Sequence, residues 1–208
     1  MNPHDFERAR AHLVQCDPVL EQLIARVGPC KLKRTRSYFV ALFESIVWQQ
    51  LSWQAACAIH ERLLRTLGTR HPTPADFLRT SSADLLKAGL SRRKVEYVRE
   101  LARYFDANQF PRRRIKEFDD EEIIDELTQV RGIGRWSAEM FLIFGLNRLD
   151  VFPAGDLGLR KAIERHYVRR KPLGARALAA ITGRWRPYRT VATWYLWASM
   201  DGVPFGGE

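Results

Sequence analysis

The sequence predicts an all-α protein, and three observations carry that expectation. Helix-capping residues and glycine stops recur along most of the chain, with apolar residues at helical spacing between them. No alternating apolar–polar run is bounded by hairpin turn chemistry, and VFP at 151–153 is short and broken by proline. Apolar residues make up 46% and charged residues 28%, the balance of a folded globule and not of a disordered chain.

The elements follow in order. Asp17-Pro18 reads as an N-cap followed by a first-turn proline, and Gly28 closes that helix. Ser37 starts the long apolar helix SYFVALFESIVWQQ. After a break at Leu51, Ser52 caps WQAACAIHERLLRTLG, which Gly68 ends. Thr73-Pro74 and Ser82 open two short helices, the second ended by Gly89. Ser91 caps RRKVEYVRELARYFDANQ, and Asp119 or Asp120 opens EEIIDELTQV. A tight turn at 131–134 leads into a helix expected from about Arg135 to Asn147. Asp156 caps another, and the last runs from roughly Pro187 to Met200. The total is roughly ten helices, without an internal repeat, a low-complexity segment or a long linker.

Composition narrows the function. The 208 residues suffice for one large domain or two small lobes. Lys plus Arg number 34 and Asp plus Glu 24, giving a formal charge of +10. Such an excess points first to nucleic acid. No apolar run approaches the roughly 20 residues that span a bilayer. The opening MNPHDFERAR has no apolar leader core, so a cytoplasmic protein with no membrane partner is expected. Three cysteines, Cys16, Cys30 and Cys57, are too few for an iron–sulfur cluster or an all-thiolate zinc site. His4, His12, His60, His71 and His166 show no metal spacing.

The most informative stretch is Leu127 to Ile163. Gly132 and Gly134 flank Ile133 between two helices, and both glycines are expected to permit positive φ and close backbone approach. The next helix begins at once, so its first N–H groups, near Gly134 and Arg135, form a seat for a phosphate. Ile133 would plug the turn. Twenty residues after Trp136 stands Asp156, in FPAGDLG. A carboxylate at a helix N-terminus accepts backbone N–H groups and is favoured as the anion. An anion held there can stabilise a cationic sugar in a transition state or take a proton from water.

Hairpin, glycines and aspartate at this spacing resemble the helix-hairpin-helix DNA glycosylase superfamily. The match is best to its alkylpurine branch, the 3-methyladenine DNA glycosylases II. Four blocks carry the resemblance in order: SIVWQQLSWQAACAI (45–59), GLSRRKVEYVRELA (89–102), the hairpin-to-aspartate block, and RPYRTVATWYLWASMDG (186–202).

The resemblance implies a two-lobed helical fold with its active site in the cleft between lobes. One lobe would be 37–150 and the other 1–36 with 151–208. It implies Asp156 as the catalytic carboxylate, and Trp136, Trp197 and Met140 as walls of a base pocket. Gln50, with Leu51 as the alternative, would be the wedge that fills the gap left by a flipped base. Relatives with lyase activity carry a lysine two positions after the second glycine. Trp136 stands there, so a monofunctional hydrolase that leaves an abasic site is expected. No cofactor is required and no iron–sulfur cluster is expected. A structural Na+ or K+ at the main-chain carbonyls of Thr128, Val130 and Gly132 is a further implication. A short form without the N-terminal β-rich domain of longer bacterial members is expected, acting as a monomer on duplex DNA. Met140 and Gly158 depart from bulkier residues in the family pattern, which implies a more open pocket.

An alkylated purine also suits these residues chemically. A purine alkylated on N3 or N7 is cationic and leaves without protonation, so one carboxylate can serve where most glycosidases need two. An indole facing the cationic base adds roughly 0.5–2 kcal/mol of cation–π attraction. Basic clusters lie at Arg92-Arg93-Lys94, Arg112-Arg113-Arg114-Lys116, Arg160 to Lys171, and Arg184-Arg186-Arg189. Arg92 and Lys94, after the Gly89-Leu90-Ser91 turn, are the expected phosphate contacts. Two other readings remain open: a glycosylase for mismatched or oxidised bases, and a non-catalytic helix-hairpin-helix DNA-binding protein.

Overall fold

Twelve α-helices and one π turn appear in a computed structural model, which describes residues 3–33, 35, 37–111, 114–167 and 173–200. The helices are α1 (Pro3–Cys16), α2 (Pro18–Val27), α3 (Tyr38–Trp48), α4 (Trp53–Leu67), α5 (Pro74–Arg79), α6 (Ser82–Lys87), α7 (Arg92–Asp106), α8 (Asp120–Thr128), α9 (Arg135–Met140), α10 (Leu157–Tyr167), α11 (Ala175–Gly183) and α12 (Arg189–Ala198). The π turn, Phe141–Gly145, continues α9. Among the described residues there is no strand. None of their helices is long and apolar enough to cross a membrane. Arg112, Arg113, Arg169, Arg170 and Lys171 of the basic clusters lie outside the described residues.

The chain divides into a central unit, 35–146, and a terminal unit, 1–34 with 147–208. The second seam falls before Asn147, which takes φ +56°, and not at 150. The cause is local. Arg189 grips the Asp150 carboxylate through Nε at 2.7 Å, and Thr190 Oγ1 accepts from the Val151 N–H at 3.0 Å. Both partners are on α12, so the segment after 146 belongs to the terminal unit.

In the central unit, α3 is apolar except at Glu44 and Ser45 and is buried at Phe39, Ala41, Leu42, Phe43, Ser45, Ile46 and Val47, which makes it the axis of its neighbours. Phe39 and Phe43 meet Phe77 of α5 at ring-centroid distances of 5.6 and 5.1 Å, and Phe39 meets Phe105 of α7 at 5.5 Å. Helix α7 turns Val95, Val98, Leu101, Ala102 and Phe105 inward at helical spacing and leaves Arg92, Arg93 and Arg103 exposed.

In the terminal unit, α12 is buried from Thr190 to Trp197. Asp17, only 1% exposed, joins the two chain segments that form this unit. Its Oδ1 caps α2 by accepting from Val19 and Leu20, and its Oδ2 accepts from Trp185 Nε1 at 2.9 Å and Tyr167 Oη at 3.0 Å. A buried carboxylate requires such donors. Burial, together with the same contact, pushes the Tyr167 hydroxyl well above its ordinary range.

Several boundaries move. Helix α6 does open at Ser82, with Ser81 as its cap, accepting from the Asp84 N–H at 3.1 Å. The expected helix from Arg135 to Asn147 changes to a π turn at Phe141, where the Leu146 N–H reaches the Phe141 carbonyl. Gly145 permits this widening, because a Cβ there would lie 2.7 Å from the Phe141 ring. Helix α12 is shorter than expected, and α1 and α11 have no counterpart among the expected elements.

Candidate functional site

In the central unit, the hairpin sits between α8 and α9. Gly132 takes φ +98°, and a Cβ there would overlap the Tyr97 ring of α7. Gly134 differs from expectation. Its φ is −101°, an ordinary extended value, and a Cβ would meet open space. Only the first glycine is therefore imposed by the backbone. Gly132→Ala is expected to lower stability by about 1–3 kcal/mol, while Gly134→Ala stays within about 1 kcal/mol. Urea denaturation of the two variants checks this, and equal losses would contradict it. Ile133 is 4% exposed and fills the turn. Gly134 caps α9 without a side-chain hydrogen bond.

The α3–α4 loop carries the expected wedge residues. Gln50 is exposed in the left-handed region, φ +56°, and Leu51 is 37% exposed. Gln49, given no role of its own by the sequence, turns the other way. Its Nε2 donates to the Gly132 carbonyl and to Ser137 Oγ, both at 2.9 Å. Lys94 corrects the expectation of a phosphate contact. Its Nζ donates to the Val47 carbonyl at 2.7 Å and the Gln49 carbonyl at 2.8 Å, capping the end of α3. Burial pulls this amine down to about 8. Arg92 remains exposed and, among the described residues, forms no ion pair.

The Arg135 side chain pairs within the protein. Its guanidinium binds Glu121 through two hydrogen bonds, at 2.9 and 2.5 Å, and its Nε lies 3.3 Å from Glu139. Much of its charge is therefore answered within the protein. At the cation site expected from Thr128, Val130 and Gly132, two of the three carbonyls already accept a hydrogen bond. The Gly132 carbonyl accepts from Gln49, and the Val130 carbonyl accepts from the Ile133 N–H at 3.0 Å. Among the described residues, no group of three or more His, Cys, Asp or Glu could hold a metal ion.

In the terminal unit, Asp156 stands at the start of α10 and is 7% exposed. Its carbonyl accepts from the Arg160 N–H at 3.0 Å, and its Oδ1 accepts from the Leu159 N–H at 2.5 Å, the geometry of an N-cap. The same Oδ1 accepts from Trp197 Nε1 at 3.1 Å. Helix α12 thus braces the segment 150–156 at both ends, through Arg189 and Thr190 at one and Trp197 at the other. Gly158 makes room for this pair, since a Cβ there would lie 3.3 Å from Asp156 Oδ1.

The residues expected as pocket walls differ in exposure. Trp136 is the half-buried second residue of α9. Met140 is 1% exposed and packs in the core, because the helix face that it occupies is buried from Ser137 onward. Trp197 is 3% exposed, and its N–H serves the carboxylate.

The family of HhH-GPD superfamily base excision DNA repair proteins matches residues 43–187. DNA-3-methyladenine glycosylase 1 of Schizosaccharomyces pombe is 33% identical over 198 residues, 91% of this chain and 86% of that protein. Among solved structures, the 3-methyladenine DNA glycosylase of Schizosaccharomyces pombe in complex with abasic DNA superposes with a TM-score of 0.83 at 30% identity, covering 96% of this chain and 100% of that one. A DNA-3-methyladenine glycosidase from Bacillus halodurans superposes with a TM-score of 0.71 at 36% identity, covering 90% and 88%. The match over residues 43–187 spans well over half of the 208 residues, and the chain belongs to the HhH-GPD superfamily of base excision DNA repair proteins.

Proposed function

We propose that this protein is a monofunctional DNA glycosylase that releases alkylated purines, such as 3-methyladenine and 7-methylguanine, from duplex DNA by hydrolysis. The observation that carries the reading is the Asp156 carboxylate, fixed at the N-terminus of α10 by the Leu159 and Trp197 N–H groups. Its similarity to the glycosylases named above supports the same substrate class.

The residues divide the work. The hairpin, with Gly134 at its end, seats a backbone phosphate on the first N–H groups of α9, and Arg92 adds a surface charge. Gln50 or Leu51 enters the duplex where the base leaves. Trp136 offers an electron-rich ring to the cationic purine. As the glycosidic bond lengthens, positive charge grows on the sugar. Asp156 stabilises that charge and orients a water toward the anomeric carbon. The water adds there and gives its proton to the Asp156 carboxylate, which passes it to solvent, while the bond's electron pair departs with the base. The products are an abasic sugar and a free, neutral base. An indole cannot form a Schiff base, so Trp136 supports hydrolysis without strand cleavage.

A panel of duplexes tests the reading, each holding one alkylated purine, one 8-oxoguanine or one uracil opposite guanine. The alkylated purine is expected to be released fastest. Strands should break only after alkali, and borohydride should trap no protein–DNA adduct. Faster release of uracil or 8-oxoguanine, or a trapped adduct, would refute it.

A further inference from the structure

We propose that Gln49 and Lys94 are positioning residues that lock the wedge loop to the hairpin, so that both meet DNA as one rigid block. The inference rests on the base-extruding reading above, and everything it uses lies in the central unit. Within the α3–α4 loop, the Leu51 N–H reaches the Trp48 carbonyl at 3.4 Å, and the Trp48 and Trp53 rings flank the loop at 4.8 Å. Gln49 leaves the helix with ψ 127°, and Gln50 sits at φ +56°, a conformation that a non-glycine side chain adopts only when its surroundings hold it.

Two long side chains tie the loop to the rest of the unit. Lys94, at the N-terminal end of α7, crosses to the end of α3 and donates to the carbonyls of Val47 and Gln49. The last carbonyls of a helix lack intrahelical donors, and a cation there also meets the negative end of the helix dipole. Gln49 then sends its amide away from the wedge. It donates to the Gly132 carbonyl inside the hairpin and to Ser137 Oγ on α9, the helix that carries Trp136. Gly132 itself is pressed against Tyr97 of α7. Helices α3, α7 and α9 therefore converge on one residue, Gln49, next to the wedge.

This arrangement has a mechanistic use. A loop that must be ordered as it enters the duplex spends binding energy on that ordering, and a loop ordered beforehand does not. Seating of the hairpin on a phosphate also fixes where Gln50 and Leu51 point, because Gln49 joins the two features. Lys94 is thus a buttress within the protein and not a ligand of the DNA. The two roles make different predictions. Loss of a phosphate ligand weakens damaged and undamaged duplexes alike. Loss of the buttress weakens only the duplex whose gap the wedge fills.

The test uses the full chain, with Gln49→Met, Lys94→Met and the double variant. Affinity is measured for an undamaged duplex and for one with a tetrahydrofuran abasic analogue, with 2-aminopurine opposite the gap to report insertion. Wild type is expected to prefer the abasic duplex and to change the 2-aminopurine fluorescence. Each single variant is expected to lose about tenfold of that preference, along with most of the fluorescence change. The double variant should lose no more than the worse single, since both groups hold one loop. Ser137→Ala removes one acceptor of Gln49 with little change in packing, and about a threefold loss of preference is expected even if the larger variants misfold. Preserved preference in folded variants, or an equal loss on both duplexes, would overturn the clamp. Absence of abasic preference in wild type would instead overturn the base-extruding reading itself.

Discussion

Asp156→Asn is expected to slow base release by about 10³-fold while leaving the fold and binding to abasic duplex nearly unchanged. A unit charge about 4 Å from a developing sugar cation, at an effective dielectric near 20, is worth about 4 kcal/mol, which corresponds to about three decades in rate. The substitution removes that charge and little else. Asparagine ranks with aspartate as an N-cap. Its amide oxygen can accept the Leu159 and Trp197 N–H groups that now reach Oδ1. Single-turnover release, measured beside a melting curve, checks this. A folded Asp156→Asn variant with wild-type rate would remove Asp156 from the chemistry.

Trp197→Phe is expected to lower the single-turnover rate by about 10- to 100-fold with little change in abasic-duplex affinity. A hydrogen bond to a charged group contributes about 1.5–3 kcal/mol. Trp197 Nε1 is one of two donors on Asp156 Oδ1, and phenylalanine keeps most of the ring's packing in α12 while deleting that donor. Without the Trp197 donor, the carboxylate is held less firmly at the end of α10. If the rate held and affinity fell, the ring would be a binding surface and not a brace.

Local signals in the sequence located most elements. Asp17, Ser52, Thr73, Ser91 and Asp119 each accept the backbone N–H groups that their residue types suggest. Capping is a short-range interaction, so one sequence carries it. Ser81 and Ser82 are ambiguous for the same reason, since adjacent serines offer the same chemistry. The π turn was not legible because it depends on a Phe141 ring lying over Gly145. Asp156 was legible as a helix cap, but its second donor comes from Trp197, on another helix. Lys94 reads as a surface charge because its partners, the Val47 and Gln49 carbonyls, are distant in sequence. Long-range pairing decides whether a basic residue faces DNA or the protein, and charge patterning cannot resolve that.

The central claim is that Asp156 drives release of alkylated purines, and one measurement tests it most directly. Duplex DNA treated with a methylating agent is incubated with wild type and with Asp156→Asn, and the freed bases are separated by chromatography. The account predicts 3-methyladenine and 7-methylguanine from wild type and background levels from the variant. No free base from wild type, or equal release by both proteins, would contradict it.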